Sequence, residues 1–288
     1  MTTGTAGREG GSVWIDGALR PVAEARVSPF DHGILVGDGV FETLRVYGSV
    51  PFAWRRHLER LAISAAGLGL EVPDSASLRD AADGVLAANN LTEGRLRITV
   101  TGGPAPLGSE RGDGAPTVIV AAGAAREWPP AERVVTVPWP RNERGATSGL
   151  KTISYAENVR ALAYAHERDA TEAIFLNTRG ELCEATGSNV FVVSDATLLT
   201  PPGDSGCLLG VTRALVLELC PELGIDIEEH ALGPSAIVDA EEAFLTSSTR
   251  EVQPISHVDG HALPTARGPI ADRLAKGFAA LVARDLDP

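Results

Sequence analysis

Gly37-Asp38-Gly39-Val40-Phe41-Glu42-Thr43-Leu44-Arg45-Val46-Tyr47 reads as a tight glycine turn that releases a long β-strand over 39–47. The next periodic segment is of the other kind. Between Arg55 and Leu68, apolar Leu58, Leu61, Ala62, Ala65 and Leu68 recur at helical spacing, with Arg56, Glu59 and Arg60 off that stripe. A second helix is expected over 77–88, strands over 95–101 and 117–122, and a short strand and turn around Asp16-Gly17 near the start. Strands alternating with amphipathic helices make this an α/β domain, expected over 12–122 behind a flexible tail 1–11.

Working outward, the composition changes after residue 122. Pro129, Pro130, Pro138, Pro140, Asn142 and Gly145 surround one strand at 133–137, which marks 123–145 as the interdomain linker region. A larger second domain, 146–288, is expected to carry a helix over 156–168 and strands over 173–176, 189–193 and 199–202. Gly210-Val211-Thr212-Arg213 then opens a helix, and a strand over 242–246 runs into Ser247-Ser248-Thr249.

Charge and composition exclude several classes of function. With a net charge of −13 and no basic stretch interleaved with aromatics, the chain is a poor partner for nucleic acid or an anionic membrane. A small anionic ligand remains compatible, because a few arginines and a helix N-terminus make a local positive site. The first residues are small and polar and no later run has the length of a membrane span, so a cytoplasmic protein is expected. Cys183, Cys207 and Cys220 lack paired spacing, and the six histidines show no metal-ligand pattern, so neither a disulfide framework nor a metal site is expected.

The cations are uneven: two lysines stand against twenty-three arginines. Lys276 falls on the polar side of a C-terminal amphipathic helix, as a surface lysine would. Lys151, in Ser148-Gly149-Leu150-Lys151-Thr152-Ile153-Ser154-Tyr155, sits where an amine has a use that a guanidinium lacks. A desolvated lysine can lose its proton and attack a carbonyl, whereas arginine stays charged. Further on, Glu184 lies in Glu-Ala-Thr-Gly-Ser-Asn, expected as a short polar loop ahead of a strand, and the Val211-Thr212 helix start and the Ser248-Thr249 pair offer donors to a phosphate. An aldehyde trap, a carboxylate and a phosphate cradle together describe pyridoxal 5′-phosphate. A carboxylate beside the ring nitrogen keeps that ring protonated, and the lysine serves as anchor and as acid/base at the substrate Cα.

Seven segments occur in a recognisable order: Ser-Pro-Phe-Asp-His-Gly at 28–33, Gly-Asp-Gly-Val-Phe-Glu-Thr at 37–43, His-Leu-Glu-Arg-Leu at 57–61, Lys151, Glu-Ala-Thr-Gly-Ser-Asn-Val-Phe at 184–191, Gly-Val-Thr-Arg at 210–213 and Thr-Ser-Ser-Thr-Arg-Glu-Val at 246–252. In these the chain resembles the fold type IV (class IV) pyridoxal-phosphate enzymes, which include branched-chain, D-amino acid and (R)-amine transaminases and aminodeoxychorismate lyases. The resemblance implies a two-domain α/β (α+β) fold, with a small N-terminal domain, a larger C-terminal pseudo-barrel and a homodimeric assembly.

It also implies roles: Lys151 as the Schiff-base lysine, Glu184 as partner of the ring nitrogen, and Arg60, Val211, Thr212, Ser248 and Thr249 around the phosphate. Tyr155 is the candidate for the ring-hydroxyl side, one position short of the tyrosine of the branched-chain enzymes, and Asn158 and Asn189 read as structural. For the substrate, Phe41 stands where the well-known D-amino acid transaminases place a tyrosine. Their Arg-x-His carboxylate trap is missing from 101–112, where Arg111 is the expected substitute, with Arg141, Arg144 and Arg250 as further anion contacts. The implied reaction is transfer of an amino group to a 2-keto acid. The alternative is release of pyruvate and 4-aminobenzoate from aminodeoxychorismate.

Overall fold

In the computed structural model, which describes residues 11–288, the Asp16-Gly17 turn joins β1 (Ser12–Ile15) to β2 (Ala18–Pro21). Apart from Gly11, the expected tail lies outside the described residues. A short helix, α1 (His32–Val36), ends at Gly37, and β3 (Gly39–Tyr47) follows from the glycine turn as read. Then come β4 (Val50–Pro51), α2 (Trp54–Leu68), α3 (Ser75–Ala88), β5 (Gly94–Thr101) and β6 (Val118–Gly123). The strands form one antiparallel sheet in the order β2-β1-β6-β5-β3-β4.

Period-2 alternation sorts this sheet into two faces. Val40, Leu44 and Val46 of β3, with Leu96, Ile98 and Val100 of β5, pack against Leu61 and Ala65 of α2 and Leu78, Ala82 and Val85 of α3. Each buried valine, leucine or isoleucine among them stabilises the fold by about 1.5–3 kcal/mol. The other face carries Phe41, Thr43 and Arg45, paired in register with Thr99, Arg97 and Arg95.

Two distant pieces of chain belong to this unit, which comprises the described residues up to Arg126, Leu150–Ser154 and Leu286–Pro288. The last of these replaces a missing helix cap. Ala53, at the start of α2, has φ 53° and gives no side-chain cap, and instead the Ala53 N–H donates to Leu286 O (2.7 Å) and the Arg55 N–H to Asp287 Oδ1 (2.9 Å). An anionic side chain there complements the helix dipole as well as the orphan N–H groups.

The second unit comprises Glu127–Gly149 and Tyr155–Asp285. The sequence-based boundaries therefore need correction at two points. The chain passes to this unit at Glu127, inside the expected linker, because β7 (Glu132–Thr136) pairs into the second sheet. Residues 150–154, expected in the second domain, belong instead with the first, where Thr152 bridges to β3. Beyond them are α4 (Ala156–His166), β8 (Glu172–Leu176), β9 (Leu182–Ala185), β10 (Asn189–Ser194), β11 (Thr197–Thr200), α5 (Val211–Glu222), β12 (Ile227–Glu229), β13 (Glu242–Ser247), β14 (Glu251–Val258), β15 (His261–Ala262) and α6 (Pro269–Arg284).

The strand order is β12-β11-β10-β13-β14-β7-β8-β9, with β15 on β14. The far strand β9 is joined to β10 by a turn in which the Ala185 N–H donates to Ser188 O (2.8 Å), so the sheet curls back on itself as the expected pseudo-barrel. Its interior holds Val134, Ile174, Leu182, Val190, Val192, Leu245 and Ile255, while α5 and α6 pack on β13.

One buried charge cluster joins β7, β8 and the start of β14. Arg250 pairs with Glu132 and, at 2.9 Å, with Glu172, and its guanidinium lies 3.7 Å from the centroid of Trp128. Arg250 was a candidate anion contact, and the structure corrects this: its ligands are the chain's own carboxylates. Replacing one member of a buried ion cluster leaves the others uncompensated, so Arg250→Met is expected to cost about 3–5 kcal/mol of stability. The triple variant with Glu132→Gln and Glu172→Gln should regain most of it, as read from chemical-denaturation midpoints.

Candidate active site

In the first unit, residues 151–153 act as an added edge strand. The Phe41 N–H donates to Lys151 O (3.0 Å), the Ile153 N–H donates to Gly39 O (2.9 Å), and Val40 and Thr152 form an antiparallel bridge. The Lys151 N–H donates to the buried Ser64 hydroxyl of α2 (3.1 Å). Leu150 comes so close to that helix that a Cβ on Gly67 would lie 2.6 Å from its Cδ1, so a larger residue there would have to displace the leucine side chain. The backbone of Lys151 is thus fixed from both sides, and its Nζ lies 4.4 Å from the centroid of the buried Phe41 ring. The guanidinium carbon of Arg97 lies 3.7 Å from the same centroid, with its Nε–H donating to Thr99 Oγ1 (3.0 Å).

Beside this edge, on the helix-covered face, Glu42 is fully buried. It accepts from Arg60 Nε (2.7 Å) and Nη2 (2.8 Å) and from His57 Nδ1 (2.7 Å). Burial pushes the Glu42 pKa up, but the charges and hydrogen bonds of Arg60 and His57 pull it down further, so it is a carboxylate. Burial lowers the His57 pKa against the opposing pull of Glu42, so the ring is neutral near pH 7 and carries its proton on Nδ1, where only a donor fits. Arg60 was expected on the phosphate, and two of its nitrogens are held by Glu42.

A second charged group sits at the loop between β5 and β6. Arg111 donates to Asp38 through Nε (2.7 Å) and Nη2 (2.6 Å) and to Gly69 O through Nη1 (3.0 Å). Arg111, expected to capture a substrate carboxylate, has two of its nitrogens held by Asp38. The sequence reading missed the third member, His32, whose Nδ1 faces Asp38 Oδ2 (2.8 Å) and whose Nε2 faces Gly108 O (3.0 Å). Both of these partners are acceptors, so both bonds form only when the ring is an imidazolium.

In the second unit, Glu184 lies on β9, not in the expected loop, opposite Phe175 of β8. It accepts from the Leu208 N–H at Oε2 (3.0 Å), and Arg141 Nε lies 3.4 Å from its Oε1. Arg141 stacks on Phe175 (4.1 Å to the centroid) and donates to Asn158 Oδ1 (3.1 Å) and Glu157 (3.2 Å). Arg141, expected as a further anion contact, thus lies among the chain's own Glu157, Asn158 and Glu184. Asn158 in turn donates to the Thr186 carbonyl, and Tyr155 precedes α4, half-buried. Arg144 is largely exposed beside Glu143.

The start of α5 belongs to the same neighbourhood. Leu208 O accepts from Asn189 Nδ2 (2.7 Å), and a Cβ on the N-cap Gly210 would lie 2.2 Å from Asn189 Oδ1. With glycine at the cap there is no side-chain cap hydrogen bond at the helix start, Val211 and Thr212. On β13, against which α5 packs, the buried Thr246 hydroxyl has no hydrogen-bond partner, and neither does Ser188 Oγ beside β10. Ser248 and Thr249 follow β13 in a half-buried turn, where Trp128 donates to Thr249 O (2.7 Å). Among the described residues there is no cluster of metal-ligating side chains, and Cys183, Cys207 and Cys220 are buried and unbridged.

Comparison with known proteins places these features in a family. The family model described as "Amino-transferase class IV" matches residues 39–258. A "Putative branched-chain-amino-acid aminotransferase" from Methanocaldococcus jannaschii is 33% identical, over 92% of this chain and 94% of its own. A "D-alanine aminotransferase" from Listeria monocytogenes is 32% identical, over 91% of this chain and 92% of its own. Among solved structures, the branched-chain amino acid aminotransferase of Escherichia coli superposes with a TM-score of 0.90 at 29% identity, covering 94% of this chain and 94% of its own.

The His32 geometry generates a pH prediction. The hydrogen bond to Asp38 raises the His32 pKa from its ordinary 6.5, with burial opposing and the Gly108 carbonyl adding to the rise. Asp38 is held below its ordinary range by Arg111 first and His32 second. A pKa raised on folding means that the His32 contribution is complete below 6.5 and is lost as pH rises through the folded value. Hydrogen exchange at residues 104–114, corrected for intrinsic rates, is expected to speed up across that window. In His32→Gln it should be fast and independent of pH.

Proposed function

The chain belongs to the class IV aminotransferases, and from that membership we propose that it is a pyridoxal 5′-phosphate-dependent transaminase moving an amino group between an amino acid or primary amine and a 2-keto acid. The observation that carries this reading is the fixed edge strand that holds Lys151 against Phe41, because it gives one of only two lysines a defined position on an arginine-rich protein.

The residues fit the cofactor. The uncapped start of α5 supplies N–H groups of Val211 and Thr212 for a phosphate, and the unpartnered Thr246 and Ser188 hydroxyls beside it suit a polar group. Ser248, Thr249 and the Glu42-held Arg60 are the remaining phosphate partners in this reading. Tyr155 is assigned to the ring-hydroxyl side and Phe41 to the substrate. When bound, pyridoxal 5′-phosphate supplies an aldehyde for an amine and a protonated ring that takes up the electrons of a broken Cα bond.

Lys151 Nζ would anchor the cofactor and would serve as the base that holds and moves the proton at the substrate Cα. Glu184, aimed by the Leu208 N–H and Arg141, holds a proton on the ring nitrogen. Phe41 places its ring face against Lys151 Nζ, at 4.4 Å to the centroid.

The donor class spans branched-chain amino acids, D-amino acids and (R)-amines. The enzyme works in the cytoplasm as a homodimer, a reading supported by exposed Phe30, Ile34, Val36 and Leu107 in the first unit. Its partners are small amines and keto acids and not nucleic acid or membrane, as the net charge of −13 favours. No helix among the described residues is long and apolar enough to cross a membrane.

Lys151→Ala is expected to lose both the absorbance of covalently held cofactor and all turnover, and retained turnover would overturn the assignment. Glu184→Gln should keep the cofactor and lose on the order of 100-fold or more in rate. Mixing the loaded enzyme with D-alanine, L-leucine, (R)-1-phenylethylamine and aminodeoxychorismate in turn identifies the donor by conversion of bound cofactor to its pyridoxamine form. Pyruvate and 4-aminobenzoate from aminodeoxychorismate, with no amine donor responding, would make the enzyme the lyase instead.

A further inference from the structure

We propose that Asn158 is a positioning residue for the reaction: it sets Arg141 beside the Glu184 carboxylate and so keeps the proton that Glu184 shares with the cofactor on the ring nitrogen. This rests on the reading of Glu184 as the partner of that nitrogen.

The contact between Arg141 and Glu184 is not self-supporting. Arg141 Nε lies 3.4 Å from Glu184 Oε1, is buried and has no hydrogen-bond partner, so charge holds the two groups together and no directed bond does. Stacking on Phe175, at 4.1 Å to the centroid, sets the plane of the guanidinium but not its place along that plane. That place is set at Nη1, which donates to Asn158 Oδ1 (3.1 Å) and to Glu157 Oε2 (3.2 Å). Glu157 is exposed and water competes for it, whereas Asn158 is buried in the first turn of α4. The buried amide is therefore the anchor of Arg141.

The other end of the same amide reaches the backbone that carries Glu184. Asn158 Nδ2 donates to the carbonyl of Thr186, two residues beyond Glu184 in the turn from β9 to β10. One side chain thus holds the cation beside the carboxylate and the chain beneath it. The two bonds need an acceptor toward the guanidinium and a donor toward the carbonyl, which an amide supplies in one orientation only. Aspartate has no donor for the Thr186 carbonyl and would draw Arg141 away from Glu184. The turn itself has a separate tie, since the Thr186 N–H (3.3 Å) and hydroxyl both donate to the buried Glu172. Loss of Asn158 therefore frees Arg141 without unfastening the turn. A guanidinium beside a carboxylate favours its charged form, which leaves the shared proton on the ring nitrogen, where it lets the ring take up electrons.

The test loads pyridoxal 5′-phosphate isotopically labelled at the ring nitrogen and compares Asn158→Ala, Arg141→Met and the double variant with the unaltered holoenzyme. The NMR chemical shift of that nitrogen reports where the proton sits, and thermal midpoint and cofactor content report fold and loading. Asn158→Ala is expected to move the shift toward that of an unprotonated ring and to lower kcat on the order of 10-fold with little change in KM, the scale of losing a group that orients another. Arg141→Met should move both in the same direction and at least as far. Because Asn158 acts through Arg141, the double variant should match Arg141→Met alone. Asn158→Asp, which keeps the size of the side chain, should shift the ring nitrogen in the same direction as Asn158→Ala.

A lowered thermal midpoint in Asn158→Ala and Asn158→Asp, with the ring-nitrogen shift and kcat unchanged, would overturn the proposal and leave Asn158 a tie between α4 and the turn. Losses that add in the double variant would overturn it as well. A failure of the reading of Glu184 shows separately, as a ring-nitrogen shift that Glu184→Gln leaves where it stands in the unaltered enzyme.

Discussion

The pairing of residues 151–153 with the edge of β3 is the constraint on which the site depends. Two main-chain hydrogen bonds and one to Ser64 fix the backbone of Lys151 before its side chain does anything. Setting the Cα of a flexible amine fixes the point from which its four rotatable bonds extend, so the backbone part of the entropic cost of positioning Nζ is met by folding. The same pairing puts Phe41 beside Lys151, which couples an apolar surface to the amine without a separate pocket. It also explains why the chain leaves the second unit for five residues and returns to it: Leu150–Ser154 are held by the first sheet and by the glycine-permitted approach of Leu150 to α2.

Buried charge plays a related part below that edge. Glu42 ties α2 to β3 through His57 and Arg60, and Ser64, one turn further along the same helix, receives the Lys151 N–H. The residues most easily read as solvated helix positions, His57 and Arg60, are therefore the ones that fix the angle of the helix against the sheet. Asp38 does the same for the β5–β6 loop, and Glu132 with Glu172 for Arg250. In an arginine-rich protein most guanidinium groups near the centre are thus matched by carboxylates of the chain, so an arginine's presence in a motif says little about ligand binding until its partners are known.

In the second unit the constraint is steric. Asn189 bridges the backbone of Leu208, which holds Glu184, and presses against Gly210, which begins α5. A side chain at position 210 would displace the Asn189 amide, so the cap glycine and Asn189 fit one another, and one side chain contacts both the backbone that holds Glu184 and the start of α5. Asn189 read as structural in the sequence, and it is.

How much of this was legible follows from the range of each interaction. β3, α2, β5 and α5 could be read because periodicity is local, and Lys151 because composition made it rare. β9 was missed because Glu184 and the turn after it look like loop, and β14 because Gln253, Pro254 and His257 interrupt its apolar pattern. The partners of Arg111, Arg141 and Arg250 are set by contacts across the fold, up to 118 positions along the chain for Arg250 and Glu132, and no spacing rule reaches them. Arg97 shows the same limit from the other side. Within Arg-Leu-Arg-Ile-Thr-Val-Thr it is one of two alternating strand arginines and nothing separates it from Arg95. The separation comes from register alone, because Arg95 faces Arg45 near the far end of β3, whereas Arg97 reaches the ring shared with Lys151. A shift of one residue in the pairing of β3 with β5 would send Arg97 to the opposite face, so the register that builds the core also decides which cation stands beside Lys151.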